Sequence, residues 1–298
     1  MYSCCSLKKF LRLLFLDAVV FVVCFMCFIV GKTIVFSADT KDEDIFLPVV
    51  MYHSINEGEP HDYSVTPKQV EDDLMFFREN GYTSVTASQL IEYVYGNGEL
   101  PNKPVLITLD DGFYNNLYYL TPLLEKYNMN AIVSIVGNYA DNNAEKDPHV
   151  PEYSYLTWND VNELIASGRI EIGNHTYDMH SYQNYRKGCC ISEGEDLEHY
   201  YDVFNKDISY LQSEIYENIG ILPTVFAYPY GAVCKESIPI LKENGFLITL
   251  TCREKPNYLS RKSECLYGLG RYNRSGKYST EEYMSNLLEG EKSPETES

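Results

Sequence analysis

The chain has 298 residues, of which 45% are hydrophobic and 22% charged, a globular composition long enough for one large domain with a sizeable core. Its formal net charge of −19 excludes nucleic acid as the expected partner, because such binding depends on Lys and Arg displacing counterions from phosphate. A neutral or cationic ligand suits this surface better, although the charge could serve solubility alone.

The first segment stands apart. Lys8, Lys9 and Arg12 precede a run from Leu13 to Val30 that is apolar except for Asp17, a basic flank followed by a membrane-inserting stretch. Residues 1–37 therefore read as a cytoplasmic flank with a transmembrane anchor or an export signal. Phe36 spoils the small-residue pattern expected for cleavage after Ala38, which favours an anchor and places the rest outside the cell membrane. Residues 38–44 form a short polar stalk. Cys4, Cys5, Cys24 and Cys27 belong to the leader. Cys189, Cys190, Cys234, Cys252 and Cys265 follow it with no C-x-x-C pair, so one bridge, such as Cys252 to Cys265, is the most that the pattern suggests.

The domain is expected over residues 45–288. Ile45 to Tyr52 reads as a buried strand ending at His53. Pro67 to Asn80 has helical spacing of Val70, Leu74 and Phe77 with Gly81 as its stop, Tyr82 to Val85 is strand-like, and Ser88 to Tyr95 is a second helix. Pro104 to Leu109 is a strand, Tyr114 to Tyr127 a helix and Asn130 to Val136 a strand. Thr157 caps a helix from Trp158 to Ala166, and Ile170 to Gly173 is the next strand. A long amphipathic helix entered from Ile191 to Tyr200 ends near Gly220. Strands at Thr224 to Ala227 and Phe246 to Leu250 flank a helix from Ser237 to Asn244. This β-then-α repetition predicts an α/β fold with a parallel sheet closed, or nearly closed, into a barrel, with functional groups at the strand C-termini. Residues 289–298 are polar and read as a disordered tail.

Two constellations carry chemistry. In Val105-Leu-Ile-Thr-Leu-Asp110-Asp111-Gly112 two carboxylates stand where an apolar strand ends. Desolvation and mutual repulsion make that costly unless something positive compensates. A divalent metal would, with one carboxylate holding it and the other left to take a proton from water. The alternative is an ordinary Asp-Asp-Gly turn. In Glu171-Ile-Gly-Asn-His175-Thr-Tyr-Asp-Met-His180 two histidines follow another strand, at a spacing of five that suits a loop around an ion rather than one helix face. Two imidazoles and one carboxylate make a three-ligand site for zinc or a similar metal. His53 after the first strand and Tyr228-Pro-Tyr-Gly231 after a later one add candidates at strand ends. His53 can act as a general acid, though alone it reads as a packed histidine. His61, His149 and His199 lack a supporting constellation and read as surface residues.

Together these residues resemble the polysaccharide deacetylases of the NodB-homology type, carbohydrate esterase family four. The resemblance runs from about Leu47 to Tyr272. Thr108-Leu-Asp-Asp-Gly112 is similar to the family's first motif and His175 to His180 to its histidine motif. The longer histidine spacing, with Met51-Tyr-His53 at the front of the domain, resembles the branch that deacetylates poly-N-acetylglucosamine. The resemblance implies a distorted (β/α) barrel in which Asp110 is the general base and Asp111, His175 and His180 bind a divalent metal, zinc being favoured. His53 becomes the general acid. Phe226-Ala-Tyr-Pro-Tyr-Gly231 is similar to the third motif and gives Tyr230, whose backbone amide would help hold the oxyanion. The arginine that often opens that motif is here Ala227, which leaves Asp110 without its usual partner; Arg271 is a candidate. The implied function is removal of N-acetyl groups from an extracellular polymer containing N-acetylglucosamine, poly-N-acetylglucosamine or peptidoglycan, at the cell membrane. The rival is a noncatalytic glycan-binding module, since 27 tyrosines would also suit sugar stacking.

Overall fold

The computed structural model describes residues 20–22, 26, 44–144, 149–183 and 185–292. The chain divides into two compact units, Met1–Glu43 and Asp44–Ser298. In the first, Val20, Phe21, Val22 and Met26 are helical and exposed. The remainder of the anchor expected over 1–37, and the stalk except Asp44, lie outside the described residues. Among the described residues no helix is long and apolar enough to cross a membrane.

The second unit is built on an eight-stranded sheet. Its strands are β1 (Val49–Tyr52), β2 (Thr83–Ser84), β3 (Pro104–Leu109), β4 (Ala131–Ile135), β5 (Ile170–Asn174), β6 (Val225–Ala227), β7 (Ile248–Leu250) and β8 (Tyr272–Asn273). The order is β7-β6-β5-β4-β3-β1-β8, with β2 paired to the start of β3, and every pairing is parallel. Parallel strands need crossovers. These are supplied by α1 (Pro67–Glu79), α2 (Ala87–Tyr95), α3 (Thr121–Tyr127), α4 (Gly137–Ala144), α5 (Trp158–Ala166), α6 (Leu197–Ile219) and α7 (Ser237–Glu243), with α8 (Thr280–Leu287) after the last strand. The ladder does not continue from β7 to β8: the segment leading into β8 meets β7 at a parallel bridge between Leu250 and Leu269, so the expected barrel is a curled half-barrel with a seam.

Side-chain alternation sorts the two faces. Val105, Ile107 and Leu109 pack in one core with Val70, Leu74 and Phe77 of α1 and Leu211 and Ile215 of α6. Leu106 joins Val49, Ile132, Val225, Ile248, Leu250 and Leu269 in a second core drawn from both edges, the side enclosed by the curl. Thr108 and Asp110 continue that inner row, so the strand that builds the core also delivers Asp110 to the mouth of the barrel.

Several local expectations are corrected. Ile45 to Tyr52 is two strands: Pro48, which cannot donate to a ladder, separates Ile45–Phe46, paired antiparallel with Tyr258–Leu259, from β1. The helix from Tyr114 contains a π-helical turn, Asn116–Leu120, before α3. Helix α4, and a two-stranded hairpin of Tyr182–Gln183 with Arg186–Lys187 that follows His180, are elements the sequence reading did not predict. The tail begins ordered: Glu289–Lys292 is a 3-10 turn, tied down by Tyr258 Oη donating to the Gly290 carbonyl at 2.9 Å. Residues 293–298 lie outside the described residues. Cys252 and Cys265 are free thiols, as are Cys189, Cys190 and Cys234, so the suggested bridge is not formed.

Candidate active site

The C-terminal ends of the parallel strands bring the predicted residues together. His53 follows β1, Asp110 and Asp111 follow β3, His175 follows β5 and Tyr230 follows β6. All of them, with His180, line one cavity of about 1000 Å³. Its rim includes Glu152 and Lys187. His61 is exposed, as read from the sequence, and forms part of the same wall. His149 and His199 are occupied elsewhere, beside Asp160 and Glu195 respectively.

The turn after β3 separates two adjacent carboxylates that would otherwise repel. Asp111 takes the left-handed conformation, φ 72°, and Gly112 follows at φ 71°. A Cβ on Gly112 would stand 3.1 Å from Ile135 Cγ2, so only glycine lets the chain turn this close to β4. The turn sends the two acids to different partners.

Asp110 meets Arg271. The guanidinium forks onto the carboxylate, with Nη1 donating to Oδ1 and Nη2 to Oδ2, both at 2.7 Å. Both side chains are buried. Arg271 Nε donates to the Thr251 carbonyl at 2.9 Å and Nη1 to Thr108 Oγ1 at 3.2 Å, so the arginine sits in the seam between β7 and the segment entering β8. Burial alone would raise the Asp110 pKa; Arg271 overturns this and holds the carboxyl well below the usual carboxylate range. The partner missing from Ala227 therefore comes from across the seam, on the segment entering β8.

Asp111 meets the histidines. Its Oδ1 lies 3.5 Å from His175 Nε2 and 3.2 Å from His180 Nε2. That oxygen is buried and makes no hydrogen bond among the described residues, an orphan acceptor at the junction of two imidazoles. The three ligand atoms lie within 4.8 Å of one another. His175 Nδ1 is 2.7 Å from the Ala227 carbonyl, a contact that requires the proton on Nδ1 and leaves the Nε2 lone pair facing Asp111. Tyr139 Oη stands 3.4 Å from His180 Nδ1, a contact in which either group can donate. Asp111, His175 and His180 thus fit a divalent cation by donor type, spacing and unsatisfied valence.

His53 completes the mouth. Its Nδ1 is buried without a hydrogen-bond partner among the described residues, and its ring meets Tyr63 edge-on at 5.0 Å. Burial lowers its pKa, against the opposing pull of Asp110 and Asp111. The amides of the π-turn region fix its chain segment. Asn116 Nδ2 donates to the His53 carbonyl at 3.1 Å, while Asn115 accepts from the Ile55 N–H and donates to Ser54 Oγ, both at 3.0 Å. A π-turn just after β3 thereby ties the segment of the Asp pair to that of His53.

Tyr230 has φ 55° in the 3-10 turn Pro229–Gly231. Its ring lies 4.5 Å from that of His180, and its hydroxyl donates to the His180 carbonyl at 3.3 Å. An aromatic chain extends this wall: Tyr139 lies 4.4 Å from Tyr155, which stacks on Phe113 at 4.9 Å. Sequence patterning gave no signal for these rings beyond an abundance of tyrosine.

A curled parallel sheet with an arginine-locked aspartate and an Asp-His-His cluster at its mouth defines a class of hydrolase. The family model for polysaccharide deacetylases matches residues 97–248, and the chain belongs to this family. A poly-beta-1,6-N-acetyl-D-glucosamine N-deacetylase of Escherichia coli is 25% identical over 217 residues, covering 66% of this chain and 32% of that protein, so the match spans about a third of its length. An enzyme of the same name from Staphylococcus aureus is 24% identical over 213 residues, covering 70% of this chain and 68% of its own. Among solved structures, IcaB from Ammonifex degensii superposes with a TM-score of 0.67 at 24% identity over 82% of this chain and 98% of that one, a likeness of fold.

Proposed function

We propose that the protein is a metal-dependent hydrolase that removes N-acetyl groups from an extracellular polymer containing N-acetylglucosamine. Poly-N-acetylglucosamine is favoured over peptidoglycan. The observation that carries the reading is the division of labour between adjacent acids: Asp110 is locked by Arg271 and Asp111 is orphaned between two imidazoles. The relatives' names support the choice of polymer. A noncatalytic glycan-binding module would need neither feature.

A divalent cation, with zinc favoured by the two-imidazole, one-carboxylate set, would be held by Asp111, His175 and His180 and would polarise the acetamide carbonyl and the attacking water. Asp110, ionised and fixed in direction by Arg271, takes a proton from that water as it attacks. Each Asp110 oxygen keeps a lone pair beyond the one bonded to the guanidinium. His53 delivers a proton to the departing nitrogen, so the sugar leaves as an amine rather than as its anion. The Tyr230 backbone N–H supports the oxyanion, a role that its left-handed turn conformation serves. Residues 1–37 would hold the catalytic unit at the outer face of the cell membrane.

Substitution separates these roles. Asp110→Asn is expected to abolish turnover and leave metal binding intact, whereas His175→Ala loses both, read by acetate release and metal content. Full turnover in either variant would contradict the assignment.

A further inference from the structure

Histidines five positions apart cannot converge on one ion unless the chain between them is forced into shape. Thr176, directly after the first, has φ 72°, and its N–H donates back to Asn174 Oδ1 at 2.9 Å. The next two amides point the other way, onto a single side chain of α6: the Tyr177 N–H donates to Asp207 Oδ1 at 2.7 Å and the Asp178 N–H to Asp207 Oδ2 at 2.8 Å. The loop carbonyls are held from the opposite side. Gly137 N–H donates to the Thr176 carbonyl at 3.1 Å and Asn138 N–H to the Tyr177 carbonyl at 3.0 Å, at the start of α4. There is no room to relax on that side, since a Cβ on Gly137 would stand 2.5 Å from the Tyr177 ring. Helix α6 holds Asn174 as well, whose Nδ2 donates to the Ile208 carbonyl at 3.2 Å.

We propose that Asp207 is a positioning residue for the histidine pair, clamping the intervening loop so that His180 returns to Asp111 beside His175. The clamp is bidentate onto consecutive amides, a form of recognition that a charged carboxylate makes strongly. The carboxyl is kept there at a cost. Burial pushes its pKa up to about 6, against the Asp178 and Tyr177 amides that lower it. The proposal rests on the metal reading of Asp111, His175 and His180. It adds that a residue on a helix, touching neither metal nor substrate, sets their geometry.

Asp207→Asn keeps the side-chain volume but replaces one acceptor with a donor that opposes an amide N–H. Zinc affinity, measured by competition with a chromogenic chelator, is expected to fall by about 10–100-fold, the range for residues that orient metal ligands. Far-UV circular dichroism should be unchanged, and the Tyr177 and Asp178 amides should exchange hydrogen faster. A folded variant that binds zinc as tightly as the unaltered protein would overturn the proposal. If the variant cannot be purified, the unaltered protein reads the same coupling in reverse, because zinc binding must slow exchange at these two amides; no effect of zinc on them would overturn it. An unaltered protein that binds no zinc would overturn the metal reading and this inference together, whereas zinc bound equally tightly by the unaltered protein and the variant overturns this inference alone and leaves the metal reading standing.

Discussion

At the scale of single residues the site depends on a pair that lies 161 positions apart, Arg271 and Asp110. Removing one member of a buried, hydrogen-bonded ion pair strands the other's charge, so Arg271→Met is expected to destabilise the fold by about 3–5 kcal/mol in denaturant unfolding. Asp110 has a folded pKa below its unfolded one. Its stabilising contribution is therefore present above the unfolded value and is lost as pH falls through the folded one. Without Arg271, burial raises that pKa, and the acid limb of kcat/KM moves to higher pH. An unchanged limb with unchanged stability would contradict the assignment of Arg271. The acids, His53 and His175 were legible in sequence because they stand where an apolar strand ends, where a polar group needs a reason, and His180 by its spacing from His175. Arg271 was visible only as a candidate and Asp207 not at all. One lies in a seam created by the curl of the sheet, the other on a helix whose sequence shows only its amphipathic face.

At the scale of elements, alternation of strand and helix was readable wherever a cap or an apolar run marked it. Thr157 caps α5 through a capping box with Asp160, and Gly220 ends α6 in the left-handed conformation, as their positions imply. The break at Pro48 carried a signal in the proline itself. The π-turn carried none, since the contacts at its start are tertiary: Asn115 and Asn116 bond to the segment after β1. Asn115→Ala leaves the Ile55 N–H without its acceptor and should cost about 1–3 kcal/mol, the penalty for an unsatisfied buried donor. Because that segment carries His53, kcat is expected to fall more than KM rises. A loss of stability with kcat unchanged would show that the π-turn serves the fold alone. The hairpin after His180 is too short to be read from alternation.

At the scale of the molecule, the sheet places every proposed catalytic group at one mouth while its enclosed side holds an apolar core, so chemistry and stability occupy different parts of the same strands. A formal charge of −19 suits a polymer that is neutral before deacetylation and cationic after it. The central claim, a metal-dependent N-deacetylase acting on an N-acetylglucosamine polymer, is tested most directly by acetate release from poly-N-acetylglucosamine oligomers. The assay is run with purified protein, then with a chelator, then with zinc restored. Acetate should appear, stop on chelation and resume with the metal. Release that is indifferent to chelator would contradict the metal centre, and no release from zinc-loaded protein on either this polymer or peptidoglycan fragments would contradict the reaction.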